Sequence, residues 1–289
     1  MKWLELRVTV RSEDADLVAL IVYESTGRGV VIEPGYFNGE GHPALFESTI
    51  IKGYLPAQAA GIIEKACAAL SPYAIGTVDV LKLPETDWLK TWREHYKPFR
   101  VGRSLVVRPP WEKYTPLPGD LVITIDPGIA FGCGTHPTTR LCLELMERAV
   151  KPGMVVYDVG TGSGILAVAA ARLGAANVVA VDEDETALRV ASENIAHNGL
   201  EDVVDTVEGD LLKGMTGMAD LIVSNIITGI IISLAPEAAA RLNPGGVFVA
   251  GGIAAARADK VEEELKKYFS IKEIVLKDDW AAFLGVLRE

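Results

Sequence analysis

The sequence predicts a two-unit α/β protein whose larger, C-terminal unit is a doubly wound sheet of seven strands. Helix-period and strand-period segments alternate from residue 136 to the end of the chain, which is typical of strands joined by crossover helices. The predicted strands, such as Val178-Val179-Ala180-Val181, are apolar throughout, as parallel strands buried on both faces are. Segments 271–276 and 281–287 are joined by too few residues for a crossover helix, so we expect the last strand to be antiparallel.

The first 83 residues predict a smaller α+β unit. Residues 4–10 alternate between apolar and polar side chains, the pattern of a strand with one buried face. The following segments are predicted as a helix after Ser12, strands at 29–33 and 45–54, a helix at 57–70 and a strand at 77–83. This order of strand, helix, strand, strand, helix, strand is that of the ferredoxin-like fold.

Between the two units, residues 84–99 change in composition towards tryptophan, histidine and tyrosine. We expect this segment to form a linker helix, which divides the chain into domains at 1–83 and 100–289. Trp88 and Trp92 in the linker either pack against a neighbouring domain or line a substrate cleft.

The net charge of the chain indicates which classes of binding partner are disfavoured. It has 28 Lys and Arg against 39 Asp and Glu, a net charge of −11, and 17 of the basic and 26 of the acidic residues follow residue 100. An acidic surface repels nucleic-acid phosphates and anionic lipid, and it favours a basic protein partner. We therefore expect neither direct nucleic-acid recognition nor membrane binding.

The cysteine and hydropathy patterns indicate a cytoplasmic protein. Cys67, Cys133 and Cys142 have no Cys-x-x-Cys spacing, so they predict neither a disulfide framework nor a zinc site. His42, His95 and His197 lack carboxylate or cysteine neighbours at ligand spacing, so no metal is expected. The longest uncharged apolar stretch, 221–236, is shorter than the ~20 residues of a membrane span, and the N-terminus has no signal-peptide pattern.

A glycine-rich turn, 160–164, lies between a predicted buried strand and a helix. Gly160 and Gly162 in this turn allow a sharp change of direction and close approach of a ligand at the carboxyl end of the sheet. Asp182 ends the next strand, where an acid can accept hydrogen bonds from both ribose hydroxyls, although it could also serve as a helix cap. Asp210 follows the third strand, where a carboxylate could accept a hydrogen bond from an adenine amino group.

The spacing of the glycines favours S-adenosylmethionine over a dinucleotide. Dinucleotide-binding turns have Gly-x-Gly-x-x-Gly with the pyrophosphate at the helix N-terminus, whereas this turn is Gly-x-Gly-x-Gly preceded by Asp158. A carboxylate is badly placed beside a pyrophosphate, but it suits an amino group or a sulfonium. Together with the antiparallel last strand, this pattern predicts a sheet that serves methyl transfer.

Asn225 ends the fourth strand of the large sheet and is the predicted catalytic residue. Its amide could orient an incoming amine beside the cofactor; the alternative is an Asn in an ordinary strand-end turn. The residues that follow, Ile226-Ile227-Thr228, lack the prolines and the aromatic ring against which a flat base would stack. A nucleic-acid base is therefore not the expected substrate.

The segment 126–139 contains three glycines and two prolines, and we expect it to fold over the cofactor. We refer to it as the cofactor loop. Thr139 at its end is a candidate to contact the methionine part of the cofactor through its hydroxyl. His136 is either a base or a brace for the loop, and the adjacent Pro137 favours the brace.

The chain resembles the ribosomal protein L11 methyltransferases over nearly its whole length. The specific parts of the resemblance are the cofactor loop, residues 158–164, Asp182, Asn225-Ile226, Asp87-Trp88 and Asp279-Trp280. The resemblance implies a Rossmann-like methyltransferase sheet, S-adenosylmethionine as cofactor, and cofactor contacts from Thr139, Gly160, Asp182 and Asn225. The chain departs from the family pattern at two places: Cys133 replaces a Thr, and Ile227-Thr228 replaces Leu-Ala.

The resemblance also implies a reaction and a substrate. Members of the family methylate amino groups of one large-subunit ribosomal protein, and their small N-terminal domain, here 1–83, recognises that protein. The expected function is therefore methylation of lysine side chains, the N-terminal amine, or both, in ribosomal protein L11. Lysine methylation of another protein, amino methylation of a nucleic acid, and nucleotide sensing without catalysis are the alternatives.

Overall fold

The computed structural model describes residues 3–26, 30–36, 47–56, 60–83, 96–126 and 132–288. The chain divides into two compact units, Met1–His95 and Tyr96–Glu289. Each unit has its own hydrophobic core.

The N-terminal unit is a four-stranded antiparallel sheet with two helices. Its elements are β1 (Trp3–Arg11), α1 (Ala15–Thr26), β2 (Val31–Tyr36), β3 (Glu47–Pro56), α2 (Ala60–Leu70) and β4 (Asp79–Leu83). The strand order is β2-β3-β1-β4, and all neighbours are antiparallel. Leu6, Val8 and Val10 of β1 share a core with Val18 and Val22 of α1, as the alternation in β1 predicts. The predicted ferredoxin-like order is confirmed.

Residues 84–95 of the predicted linker helix lie outside the described residues. Residues 96–98 are not helical, and Phe99 begins a strand. Pro98 accounts for this, because a proline disfavours the helical conformation at the residue before it. The predicted helix therefore does not extend to residue 99.

Three short strands open the second unit: β5 (Phe99–Val101), β6 (Leu105–Arg108) and β7 (Leu121–Thr124). β5 pairs with β6 in antiparallel fashion, and β7 pairs with β6 in parallel fashion. The turn between β5 and β6 is held by Glu147, whose carboxylate accepts hydrogen bonds from the N–H groups of Arg103 (2.7 Å) and Ser104 (2.6 Å). The sequence did not predict β5, because three residues are too few to show a hydrophobic period.

The rest of the second unit is a seven-stranded sheet with helices on both faces. Its elements are α3 (Pro137–Ala149), β8 (Val155–Val159), α4 (Ile165–Arg172), β9 (Asn177–Asp182), α5 (Glu185–His197), β10 (Val204–Glu208), β11 (Ala219–Asn225), α6 (Thr228–Arg241), β12 (Leu242–Ala254), α7 (Ala258–Leu265), β13 (Phe269–Lys277) and β14 (Trp280–Leu287). The strand order is β10-β9-β8-β11-β12-β14-β13. β10, β9, β8, β11 and β12 are parallel, and β14 is antiparallel to both of its neighbours.

The two faces of this sheet carry separate cores. One core contains apolar residues of α3, α4 and α5, and the other contains residues of α6 and α7. The doubly wound fold with an antiparallel last strand is therefore confirmed. In the described ranges, no helix has the length and apolar composition needed to cross a membrane.

The order of the strands indicates where a ligand would bind. β9 and β10 lie on one side of β8, and β11 and the later strands lie on the other. The direction of winding therefore reverses between β8 and β11. Doubly wound sheets bind ligands at the carboxyl ends of the strands at this reversal, so the turn after β8 and the end of β11 border the expected site.

Two buried amides of α5 and the turn after it tie β7 and the start of the cofactor loop to the sheet. Asn198 exchanges hydrogen bonds with the N–H (2.9 Å) and carbonyl (2.7 Å) of Thr124. Asn194 accepts from the N–H of Asp126 (2.8 Å) and donates to the carbonyls of Asp126 (3.0 Å) and Ser163 (2.8 Å). These amides supply hydrogen bonds to backbone N–H and C=O groups that face no neighbouring strand.

Replacing Asn194 with Ala should destabilise the second unit. The N–H of Asp126 and the carbonyls of Asp126 and Ser163 would lose the amide, and unmade hydrogen bonds of buried groups are costly. We expect the free energy of unfolding in urea to fall by about 2–4 kcal/mol.

Arg189→Ala is the matched control on the same helix. Arg189 pairs with Glu193 at 2.6 Å, and both side chains are 57% exposed, so the change should cost about 0.5 kcal/mol or less. Equal losses of stability in the two variants would contradict the role given to Asn194.

Candidate active site

The turn after β8 rests on the end of β9. The N–H groups of Gly160 (2.8 Å) and Thr161 (2.9 Å) both donate to the carbonyl of Val181. The N–H of Gly162 donates to Oδ2 of Asp182 at 2.9 Å. The structure therefore brings Gly160, Gly162 and Asp182 together, as the sequence predicts.

Gly160 meets two constraints that exclude a side chain. Its φ is +74°, a left-handed conformation that favours glycine. A Cβ at this position would lie 2.5 Å from Cγ2 of Ile226, the residue after Asn225. The missing side chain lets the turn after β8 close against the end of β11, which places the glycine turn next to Asn225.

Asp182 is held by the backbone and does not cap the following helix. Its Oδ2 accepts from Gly162, and its Oδ1 accepts from the N–H of Asp184 at 3.1 Å. Asp184 is the N-cap of α5, accepting from the N–H of Thr186 at 2.8 Å. Burial raises the pKa of Asp182 above its usual value. Because a carboxylate oxygen can accept two hydrogen bonds, each oxygen of Asp182 retains a site for a ligand hydroxyl.

Asp158 lies beneath the turn and braces it. Its side chain is fully buried, and its Oδ2 accepts from Oγ1 of Thr161 (2.6 Å) and the N–H of Ala167 (3.0 Å). Its Oδ1 is buried and has no hydrogen-bond partner among the described residues. Burial raises the pKa of Asp158 to about 7, because removal from water disfavours the charged form. The sequence did not predict this bracing role.

Asn225 and Thr139 meet across the site. Nδ2 of Asn225 donates to Oγ1 of Thr139 at 3.2 Å, and Thr139 is fully buried in the first turn of α3. Oδ1 of Asn225 is buried and has no partner within the described ranges. A Cβ on Gly251, the ladder neighbour of Asn225 on β12, would lie 3.1 Å from that oxygen. The hydrogen bond from Nδ2 therefore fixes the orientation of the Asn225 amide, and Oδ1 is left able to accept a hydrogen bond from a ligand.

His136 braces the start of α3. It is the N-cap of the helix, and its Nδ1 accepts from the N–H of Thr138 at 3.3 Å. Its ring packs edge-on against Trp280, with 5.0 Å between the ring centroids. Burial lowers the pKa of His136, which favours the neutral imidazole that can accept this bond. The favoured interpretation of His136 as a brace is confirmed.

Asp210 lies at the same edge of the sheet, near its surface. The N–H of Gly209 donates to the carbonyl of Asp182 at 3.0 Å, which brings this segment alongside Asp182. The Asp210 side chain is 55% exposed and pairs with Nζ of Lys213 at 2.6 Å. Its contact with an adenine stays a prediction.

Several residues that shape the site were missed by the sequence reasoning. Asn194 had a signal in the sequence, because it occupies a core-facing position of an amphipathic helix beside Val190, Ala191 and Ile195. Asn198 is the residue just after this helix and is buried as well. Ser163 and Tyr96, which bond the carbonyls of Gly132 and Cys133, gave no such signal, because their partners are backbone atoms. In the part of the chain that the structure describes, no group of His, Cys, Asp and Glu is arranged to hold a metal.

The fold and the site can be compared with known proteins. A family model described as ribosomal protein L11 methyltransferase matches residues 2–288. The chain is 49% identical over 279 residues to the ribosomal protein L11 methyltransferase of Pelotomaculum thermopropionicum, covering 90% of this chain and 91% of the relative. It is 39% identical to that of Caldanaerobacter subterraneus subsp. tengcongensis, covering 98% of each.

A solved structure agrees with these relatives. The crystal structure of a ribosomal protein L11 methylase from Lactobacillus delbrueckii subsp. bulgaricus is 36% identical and superposes with a TM-score of 0.63. The alignment covers 67% of this chain and 100% of that chain. The chain therefore belongs to the ribosomal protein L11 methyltransferase family and is an enzyme that transfers methyl groups.

Proposed function

We propose that this enzyme transfers methyl groups from S-adenosylmethionine to amino groups of ribosomal protein L11. The observation that carries the proposal is Oδ1 of Asn225, a buried acceptor that has no hydrogen-bond partner among the described residues. It lies at the end of β11, and the next residue, Ile226, contacts Gly160 of the glycine turn. An amine offers N–H donors that suit such an acceptor. The names of the relatives support the choice of substrate.

The residues around the turn fit S-adenosylmethionine. Gly160 and Gly162 allow its close approach, the free acceptor sites of Asp182 suit the two ribose hydroxyls, and Asp210 suits the adenine amino group. Thr139 and Asn225 would lie by the methionine part. When bound, the cofactor supplies a methyl group on a positively charged sulfonium.

Asn225 would align the substrate amine. If Oδ1 of Asn225 accepts one N–H of a neutral amine, the nitrogen lone pair has a defined direction for attack on the methyl carbon. With the cofactor bound, its methyl group would pass from sulfur to this nitrogen, which would then give up a proton to solvent. The bond from Asn225 to Thr139 keeps the amide from rotating.

The amine that receives the methyl group must be neutral to react. The free energy needed to deprotonate it depends on its pKa. A lysine with a pKa of about 10.4 is neutral at pH 7 only about once in 2,500 molecules, a cost of about 4.6 kcal/mol, whereas an N-terminal amine at about 7.7–8.0 is far closer to neutrality. A neighbouring positive charge disfavours the ammonium form. The sulfonium would therefore lower the pKa of either amine, which reduces the need for a dedicated base.

We also propose that domain 1–83 recognises the protein substrate. The residues assigned to the cofactor, from Thr139 to Asn225, all belong to the second unit, whereas the first unit has a separate core. The acidic balance after residue 100 supports attraction of a basic protein and counts against a nucleic-acid substrate.

Incubation with S-adenosylmethionine and purified ribosomal proteins tests the proposed function directly. We expect mass increases of whole methyl units on L11, at lysine side chains or the N-terminal amine. Mass increases confined to other proteins or to RNA would contradict the proposed substrate.

A fragment that begins at Tyr96 serves as the control for recognition in the same assay. It should retain affinity for S-adenosylmethionine and lose methylation of intact L11. Full activity of this fragment on L11 would contradict the role proposed for the N-terminal domain.

Asp182→Ala should weaken cofactor binding. Loss of charged hydrogen bonds to the ribose costs about 1.5–3 kcal/mol, or roughly a 10- to 150-fold higher Kd in calorimetric titration. Asp184→Ala is the matched control, because it removes the cap of α5 and should leave the Kd within about twofold. An unchanged Kd in a folded Asp182→Ala variant would rule out the ribose assignment.

Asn225→Ala should reduce kcat by more than it weakens cofactor binding. Loss of amine alignment is expected to reduce turnover by up to about 100-fold, with a smaller change in the Kd for S-adenosylmethionine. Asn243→Ala provides a comparison, since Asn243 bonds Asp220 at 2.7 Å near the opposite end of β11. A wild-type kcat with a raised Kd would make Asn225 a cofactor contact alone.

A further inference from the structure

Tyr96 is the first residue of the second unit, and it contacts the cofactor loop. Its side chain is buried, with 4% of its surface exposed, and its hydroxyl donates to the carbonyl of Cys133. Its ring meets Phe99 edge-on, with 6.1 Å between centroids, and lies 6.4 Å from the ring of Trp111. Burial raises the pKa of the Tyr96 hydroxyl, which keeps it protonated and able to donate.

The loop segment that Tyr96 contacts contains two glycines and is held by side chains from outside the loop. Gly132 and Gly134 flank Cys133 with φ of +107° and +80°. Oγ of Ser163 donates to the carbonyl of Gly132 at 2.6 Å. A Cβ on Gly134 would lie 2.8 Å from Cδ1 of Ile165, so the segment packs closely on the start of α4.

This segment leads directly to the site. His136 follows it as the N-cap of α3, and Thr139 in the first turn of that helix bonds Asn225. A shift of the Cys133 carbonyl would therefore move the chain just before the residues assigned to the cofactor. The Tyr96 hydroxyl and the Ser163 hydroxyl hold two successive carbonyls of this segment.

We propose that Tyr96 is a positioning residue of the enzyme, whose hydroxyl holds the Cys133 carbonyl and thereby fixes residues 132–135, just before α3, for cofactor binding. The part that concerns the cofactor rests on the proposed function. The part that concerns the loop does not, because it can be measured on the ligand-free protein.

The thiol of Cys133 gives a native reporter of loop position. Cys133 and Cys67 are partly exposed and Cys142 is buried, so a Cys67→Ser background leaves Cys133 as the reactive thiol. In this background Tyr96→Phe keeps the ring and removes the hydroxyl. We expect an aromatic disulfide reagent to label Cys133 about fivefold faster in Tyr96→Phe than in the parent.

Tyr114→Phe is the matched control. The Tyr114 hydroxyl donates to Oδ2 of Asp120 at 2.5 Å in the connection between β6 and β7. Tyr114→Phe therefore also removes one tyrosine hydrogen bond, but at a place away from residues 132–135. It should label at the parent rate. Equal rates in Tyr96→Phe and the parent, or equal acceleration in both variants, would overturn the proposal. Thermal unfolding verifies that both variants are folded.

Kinetics with S-adenosylmethionine separates positioning from catalysis. Tyr96→Phe should raise the KM for the cofactor about fivefold and change kcat by less than about twofold. A lower kcat with an unchanged KM would overturn the role in cofactor binding. If the wild-type enzyme did not bind S-adenosylmethionine, the proposed function would fail, and the labelling rates would still decide the role of Tyr96.

Discussion

The close approach of Gly160 to Ile226 sets the geometry on which the candidate site depends. The turn after β8 crosses between β9 and β11, bonding Val181 on one side and touching the residue after Asn225 on the other. A side chain at residue 160 would clash with Ile226 unless one of the two moved. The same contact explains why Asp182 and Asn225, which lie on different strands, border a single site.

Buried polar groups keep this edge of the sheet in register. Asn194 accepts a hydrogen bond from the backbone N–H of Asp126. Asp158 accepts hydrogen bonds from the glycine turn and from the start of α4, and Asn225 donates one to Thr139. A buried polar group destabilises the fold when it has no hydrogen-bond partner, and it favours one arrangement of the chain when it has one. Two acceptors are exceptions, Oδ1 of Asp158 and Oδ1 of Asn225, and both lie at the reversal of the strand order where a ligand is expected.

The sequence predicted what depends on local pattern and missed what depends on distant partners. Apolar runs and caps are local signals, and they predict a strand at 177–182 and a helix at 185–197; β9 and α5 have these bounds. Gly160, Gly162 and Asp182 were predicted as neighbours because their spacing has a known physical use, and the structure brings them together. The three-residue strand β5 and the bond from Tyr96 to Cys133 were not found, because they depend on pairing across many residues. Asp158 was identified as a carboxylate at the turn, but its burial could not be read from the sequence.

Electrostatics connects this buried edge to the proposed chemistry. Burial raises the pKa values of Asp158 and Asp182, and the charge of Asp182 raises that of Asp158 further. Two acids held close together away from water are difficult to ionise at the same time. A cation bound beside them would favour both ionised forms. Hydrogen bonds from ribose hydroxyls, as proposed for Asp182, would likewise favour its ionised form, so binding of the proposed cofactor would offset part of the cost that the fold leaves in place.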